Sequence, residues 1–121
     1  MDKILLKNLS FYGFHGVLAE EKTLGQKFFV DVELQLDLKK AGLTDNVVDT
    51  VSYADIYQLV KEQVTTKNYN LLEALAENIA GKILTHYEKV KEVVVIIKKP
   101  EAPVQGIFDY FSIEIRRKRN G

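Results

Sequence analysis

Residues 26–38 alternate apolar and polar side chains with almost no interruption. Because successive side chains of a β-strand point to opposite faces of a sheet, this pattern predicts one long strand with a buried face and a wet face. One face of the sheet is therefore expected to pack against the rest of the chain. The residues on that face are Phe28, Val30, Val32, Leu34, Leu36 and Leu38.

Three further segments are predicted to be strands. Residues 3–11 mix apolar and polar positions and lead into an irregular, unusually apolar loop at 12–21. Residues 39–50, which follow the long strand, have the composition of turns and are predicted to form a connection rather than a strand. Residues 93–99 are β-branched on both faces, so this strand needs cover on both sides, which either a curled sheet or another subunit would supply. The last strand is expected at 107–117, with Ile107, Phe111, Ile113 and Ile115 on its apolar face.

Two segments carry the spacing of helices. Ser52, with Asp55 three residues later, is a capping signal for a helix that ends near Thr66. A short link leads to a second helix from Asn70, its predicted N-cap, to about Tyr87, and so short a link favours antiparallel neighbours. The apolar face of the second helix consists of Leu72, Leu75, Ala76, Ile79, Ala80 and Ile83.

Composition narrows the class of protein. The chain has 121 residues, enough for one domain, and its 17 basic and 17 acidic residues give no net charge to attract nucleic acid or an anionic membrane. The absence of cysteine excludes disulfides and thiolate metal sites, and two histidines, His15 and His86, are too few for a three-histidine zinc site.

We therefore expect an α+β fold in a single domain, residues 1–121. The predicted order is ββααββ, an antiparallel four-stranded sheet with two antiparallel helices on one face. Because the first residues lack the apolar core of a signal peptide and the longest apolar run, 93–97, is too short to span a bilayer, a cytoplasmic protein is expected. No nucleic-acid or membrane partner is predicted.

Glu73 has two interpretations. It lies at the third position of a helix capped by Asn70, where its carboxylate can bond back to the cap, and spacing alone favours this structural role. The alternative is a ligand anchor, because a carboxylate at a helix N-terminus stays ionised and can accept two parallel N–H bonds from an amidine-like edge. Pterins and guanines carry such an edge.

Four stretches form a further pattern through their order and spacing: residues 11–16 with the acidic pair at 20–21, residues 44–46 with 49–53, residues 70–73, and residues 99–103. Together they resemble the dihydroneopterin aldolase family, folate-pathway lyases of the tunnelling fold (T-fold). The resemblance implies a ring of four subunits, two rings stacked into a homo-octamer, and active sites shared between neighbours. It also implies retro-aldol cleavage of a pterin, 7,8-dihydroneopterin, to 6-hydroxymethyl-7,8-dihydropterin and glycolaldehyde, without a metal, a cofactor or a Schiff base.

The resemblance also implies roles for individual residues. Lys99 matches the catalytic lysine, which donates and accepts the proton, and its phase along the strand places it on the side of Val93, Val95 and Ile97. Tyr53 matches the active-site tyrosine beside the substrate side chain. Glu73, the backbone of Leu72, and Glu21 match substrate-binding positions, although Glu20 leaves the register of Glu21 open. His15 is expected to be a structural loop residue.

Three alternatives remain at this stage. The first is the related 2′-epimerase, or both activities in one enzyme, because the same enamine intermediate serves both reactions. The second is a zinc-dependent enzyme of the same fold, which the missing cysteines and scarce histidines disfavour. The third is a non-enzymatic pterin-binding ring, which would need Glu73 but neither Lys99 nor Tyr53.

Overall fold

The computed structural model describes residues 1–119, which contain one antiparallel four-stranded sheet in the order β1-β2-β3-β4. The predicted domain range of 1–121 therefore includes two residues that lie outside the described part. The strands are β1 (Asp2–Gly13), β2 (Gln26–Leu36), β3 (Glu92–Lys99) and β4 (Phe111–Lys118). The helices are α1 (Ala19–Leu24), α2 (Lys39–Thr44), α3 (Tyr53–Thr66) and α4 (Leu72–His86), with a 3-10 turn at Val47–Asp49.

The core lies between one face of the sheet and the helices α3 and α4. The alternation in β2 is confirmed from Phe28 to Leu36, because the inward side chains there are buried and Val30, Val32 and Leu34 are fully so, whereas Leu38 lies beyond the end of the strand and is partly buried. Side chains of α3 and α4 recur on one face of each helix and complete the core. The fully buried helical residues are Ile56, Val60, Val64, Leu75, Ala76, Ile79, Ala80 and Ile83. The predicted α+β class and the ββααββ order are therefore confirmed.

The opposite face of the sheet carries ion pairs rather than a second layer within residues 1–119. Lys3 lies 3.5 Å from Glu33, Arg116 lies 3.3 Å from Glu92, and Lys98 lies 3.1 Å from Asp31, measured between charged atoms. Val94 is nevertheless only 5% exposed, because it lies across the ladders from Glu33 and Arg116, whose long stems flank it. Part of the cover predicted for this face thus comes from neighbouring side chains.

The two main helices begin differently. Ser52 caps α3 as predicted, because its hydroxyl accepts a hydrogen bond of 3.4 Å from the backbone N–H of Asp55. The prediction that Asn70 caps α4 is wrong. Leu71 is the N-cap and offers no side-chain bond, so Glu73 is the second helical residue rather than the third. The amide oxygen of Asn70 instead accepts a hydrogen bond from the ammonium of Lys22.

The connections contain more helix than their composition predicts. Part of the expected loop at 12–21 extends β1 to Gly13, and another part forms α1. The turn-like segment at 39–50 contains α2 and the 3-10 turn. The last strand starts at Phe111 rather than at Ile107, which lies outside it and is fully exposed. Proline and glycine in residues 100–106 delay the return of the chain to the sheet.

The connection from β1 to β2 depends on a close approach at Gly16. Its backbone has a φ of +148°, which side chains disfavour, and an added Cβ would overlap the carboxyl group of Glu21. Its N–H donates a hydrogen bond of 2.9 Å to the carbonyl of Tyr69, in the link before α4. Gly16 therefore lets the chain pack closely against the Glu21 carboxyl group and against the link that precedes α4.

Replacing Gly16 by alanine should lower the free energy of unfolding by about 2 kcal/mol or more, because the new methyl group meets both an unfavourable φ and the Glu21 carboxyl. Urea titration measures the change. Gly42→Ala is the matched control. Its Cβ would meet nothing within 4 Å, and alanine favours the helical conformation, so its stability should be unchanged or raised by up to about 1 kcal/mol. Equal stabilities for the two variants would contradict the close approach.

Candidate active site

Lys99 and Glu21 form a buried ion pair at the end of β3. The Lys99 ammonium contacts the Glu21 carboxylate, and the two side chains are 12% and 6% exposed. The carboxylate also accepts hydrogen bonds of 3.4 Å from the backbone N–H of Leu18 and from the amide of Gln26. Of the two adjacent acids, Glu20 is exposed, whereas Glu21 is buried and is the one in contact with Lys99.

Gln26 belongs to the same cluster and was missed by the sequence analysis. Its side chain is buried, and within residues 1–119 its amide oxygen has no hydrogen-bond partner. Buried acceptors are usually paired, so this oxygen is available to a donor that enters the cluster. A signal for it exists in the sequence, because Gln26 is a polar residue in phase with Phe28 and Val30 on the apolar face of β2.

The start of α4 offers hydrogen-bonding groups of both kinds. Among the described residues, the backbone N–H groups of Leu72 and Glu73 donate no hydrogen bond, as expected for the first turn of a helix. The Glu73 side chain is exposed, so its two carboxylate oxygens are accessible as hydrogen-bond acceptors. The bond from Lys22 to Asn70 ties α1, which carries Glu21, to the segment just before α4. The sequence elements that carry Glu21, Lys99 and Glu73 are thus connected by direct contacts.

Tyr53 lies in a different part of the chain. It is 69% exposed, at the first turn of α3, beside an apolar groove of about 400 Å³. The groove opens between the start of β1 and the segment that precedes α3. It is lined by Ile4, Leu38, Val47, Thr50, Val51, Ser52, Tyr53 and Ala54.

This groove and the Lys99 cluster are at opposite ends of the sheet. Across the strand ladders the end of β3 lies level with Ser10, whereas the groove includes Ile4. Six residues of a strand span about 20 Å. The structure therefore brings Lys99 and Glu21 together but does not bring Tyr53 to them within one chain.

His15 is fully buried and bridges α3 and the link between α3 and α4. One ring nitrogen, Nε2, lies 2.8 Å from the carbonyl of Val64 near the end of α3, and Nδ1 accepts a 3.1 Å bond from the backbone N–H of Tyr69. Burial lowers the pKa of His15 below its ordinary value, and the positive charges of Lys99 and Lys22 act in the same direction, although the bond to Val64 opposes them. The geometry agrees with the structural role expected for this residue.

Two further features, a cluster of side chains that could hold a metal ion and a membrane-spanning helix, are absent from residues 1–119. Residues 1–119 contain no group of three or more histidine, aspartate or glutamate side chains arranged to hold a metal ion. No helix within the same part of the chain is long and apolar enough to cross a membrane. The arrangement at the Lys99 end suits acid–base chemistry, since it places an ammonium, a carboxylate and an amide oxygen in one partly closed cluster.

Comparison with known proteins identifies the family. A family model described as dihydroneopterin aldolase matches residues 4–116. The chain is 49% identical over 120 residues to dihydroneopterin aldolase 1 of Arabidopsis thaliana, a match that covers 98% of this chain and 82% of the relative.

Solved structures give the same result for the fold. The dihydroneopterin aldolase of E. coli in complex with neopterin has a TM-score of 0.88 and 32% identity, covering 97% of this chain and 99% of that one. The enzyme of Burkholderia thailendensis bound to guanine has a TM-score of 0.80 and 25% identity, covering 98% and 92%. The family match, the high identity over nearly the whole length and the shared fold together lead to one conclusion: the chain belongs to the dihydroneopterin aldolase family, whose members are lyases.

Proposed function

We propose that this chain performs the family's retro-aldol cleavage with Lys99 as the proton-transferring group and Glu73 as the anchor of the pterin ring. The substrate would be 7,8-dihydroneopterin, and the products 6-hydroxymethyl-7,8-dihydropterin and glycolaldehyde, as a step of folate biosynthesis. The observation that carries the proposal is the buried contact between Lys99 and Glu21 at the end of β3. A lysine that served only solubility would not be held in a largely enclosed ion pair.

The hydrogen-bonding groups at the start of α4 support the proposal that Glu73 anchors the pterin ring. Pterin and guanine rings share an edge with adjacent N–H donors, and Glu73 can accept two of them in parallel while the free N–H of Leu72 donates to a ring acceptor. The two structural relatives described above are complexes with neopterin and with guanine, two ligands that carry this edge. A small-molecule pterin therefore fits the groups that α4 presents.

The proposed cleavage requires proton transfer but no covalent bond between the enzyme and the substrate. Breaking the bond between the first two side-chain carbons sends its electrons into the C6=N5 imine of the ring, so no enzyme amine has to form an imine first. A proton leaves the 2′-hydroxyl, and a proton is then added to the first side-chain carbon of the enamine, so no net proton is consumed. Lys99 would take up and return this proton, while Glu21 contacts the hydroxylated side chain and Gln26 offers an acceptor beside it.

Tyr53 enters this proposal through a second subunit. Because it lies at the far end of its own sheet, a site that contains both Tyr53 and Lys99 needs two chains placed side by side. The sheet has two outer strands, β1 and β4, whose free edges allow such pairing. We propose a homo-oligomer with shared sites, an octamer of two stacked rings, built from chains that each form one domain over residues 1–121 and act in the cytoplasm.

The epimerase alternative is not favoured by the comparisons, since the relatives described above carry the aldolase name. Both activities pass through the same enamine, so the residues themselves do not separate them. Analysis of the products does. Hydroxymethyldihydropterin and glycolaldehyde should dominate, whereas a mixture dominated by the 2′ epimer would contradict the aldolase assignment.

Replacing Glu73 by alanine should weaken binding of guanine at least about 100-fold, or roughly 3 kcal/mol, because two ligand donors lose a charged acceptor. Titration calorimetry measures the affinity, and size-exclusion chromatography checks that the assembly is intact. Glu77→Ala is the control, since Glu77 is an exposed acid one turn further along α4 that pairs with Arg117. An unchanged affinity in the Glu73 variant would refute the anchor assignment.

Replacing Lys99 by glutamine should lower kcat by about 100-fold or more while guanine affinity changes by less than about threefold, because the amide can still donate to Glu21 but cannot transfer a proton. Steady-state kinetics and calorimetry measure the two quantities. Lys98→Gln is the matched control on the other face of the same strand, where it pairs with Asp31. Losses of equal size in guanine affinity and in kcat would show that Lys99 acts in binding only.

Mixed assemblies should reveal a shared site. Tyr53→Phe and Lys99→Gln chains, each of low activity alone, should together regain about one quarter of the wild-type rate after random co-assembly. Half of the sites receive an intact lysine, and half of those receive an intact tyrosine from the neighbour. The test measures the activity of the co-assembled mixture. The control is the same two variants, assembled separately and then combined. A mixture no more active than its parents would place both residues in one chain's site.

A further inference from the structure

His15 is buried, so it is not exposed to a ligand, and it hydrogen-bonds both to α3 and to the link that leads into α4. Its ring stacks on Tyr69 at a centroid distance of 5.7 Å and meets Phe28 edge-on at 5.2 Å. Gly13 makes room for it, since a Cβ there would lie 3.0 Å from the imidazole and 2.9 Å from the carbonyl of Val64. The chain thus accommodates one specific ring at this position between β1, β2, α3 and the link before α4.

The two hydrogen bonds of His15 fix one form of the ring. Tyr69 presents a backbone N–H, which only an unprotonated Nδ1 can accept, and Val64 presents a carbonyl, which needs a proton on Nε2. The neutral ring with hydrogen on Nε2 satisfies both. With one nitrogen donating and the other accepting, the imidazole forms a rigid hydrogen-bonded bridge between the end of α3 and the link before α4.

We infer that His15 is a positioning residue that sets the start of α4, and with it Glu73, relative to the Glu21–Lys99 pair. Two consecutive residues hold the same link, since His15 accepts from the N–H of Tyr69 and Gly16 donates to its carbonyl. From that point the chain runs four residues to Glu73 in one direction, and from Gly16 five residues to Glu21 in the other. This inference rests on the proposed function, in which the ring is bound at Glu73 and the proton moves at Lys99.

The inference predicts a specific kinetic pattern. Without the hydrogen bonds of His15, the start of α4 would occupy its binding position only part of the time. The apparent dissociation constant of the ligand would then rise in inverse proportion to that fraction. Once the pterin is held by Glu73, its own hydrogen bonds restore the position, so the bound complex reacts as before. KM and Kd should therefore rise together while kcat is kept.

Three variants separate the contributions of His15. His15→Phe keeps an aromatic ring beside Tyr69 and Phe28 but loses both hydrogen bonds. His15→Gln can still donate toward Val64 but does not offer an acceptor at the position of Nδ1, whereas His15→Asn offers that acceptor to Tyr69 and loses the bond to Val64. Guanine affinity and KM for 7,8-dihydroneopterin should weaken about tenfold in the Phe and Gln variants and less than about threefold in the Asn variant, with kcat within about twofold throughout.

A buried residue of α4 away from the site provides the control for stability. Ile83→Val removes one methyl group from the core near the end of the helix and should lower the melting temperature without changing KM or guanine affinity. If His15→Phe does not fold, the Gln and Asn variants give the same comparison. The inference is overturned if folded Phe or Gln variants keep the wild-type KM, or if the Asn variant is as impaired as they are. A wild-type chain that binds neither guanine nor pterin would instead refute the proposed function before any variant is made.

Discussion

The buried ion pair between Lys99 and Glu21 is the interaction on which the candidate site depends. Removing two charges from water costs free energy that only close contact and further hydrogen bonds offset, and loss of either partner leaves an unpaired charge inside the protein. The chain meets that cost with a glycine at position 16, a backbone N–H from Leu18 and the amide of Gln26. Much of the connection between β1 and β2 is thus shaped by one carboxylate.

The sheet acts as a fixed spacer between two surfaces that differ in chemistry. One end carries the charged cluster, and the other carries the apolar groove beside Tyr53. A flat heterocycle with a polar edge and a hydroxylated side chain needs both kinds of surface, a set of donors and acceptors and an apolar face for stacking. The separation of these surfaces in one chain gives a physical reason why the proposed enzyme would work as an assembly.

Sequence reasoning succeeded where the pattern is dictated by burial and failed where it depends on contacts distant in the chain. The alternation of β2 and the phase of Lys99 follow from the strand repeat alone, and Ser52 caps α3 through a local bond. Asn70 looks like a cap by composition, but its side chain bonds to Lys22, 48 residues away. Helix α1 was missed because its six residues are too few for a periodic pattern to emerge.

The ion-paired face of the sheet has a consequence for how copies of this chain meet when they misfold. Charged side chains of alternating sign, such as Lys3 with Glu33 and Arg116 with Glu92, keep that face hydrated, so two sheets gain little by stacking on each other there. The outer strands β1 and β4 also carry charges, Lys3 and Lys7 on one and Arg116 and Lys118 on the other, which disfavour pairing of their edges with another chain. Added salt screens these charges on the face and on the edges alike, so it should make unassembled chains more prone to aggregate.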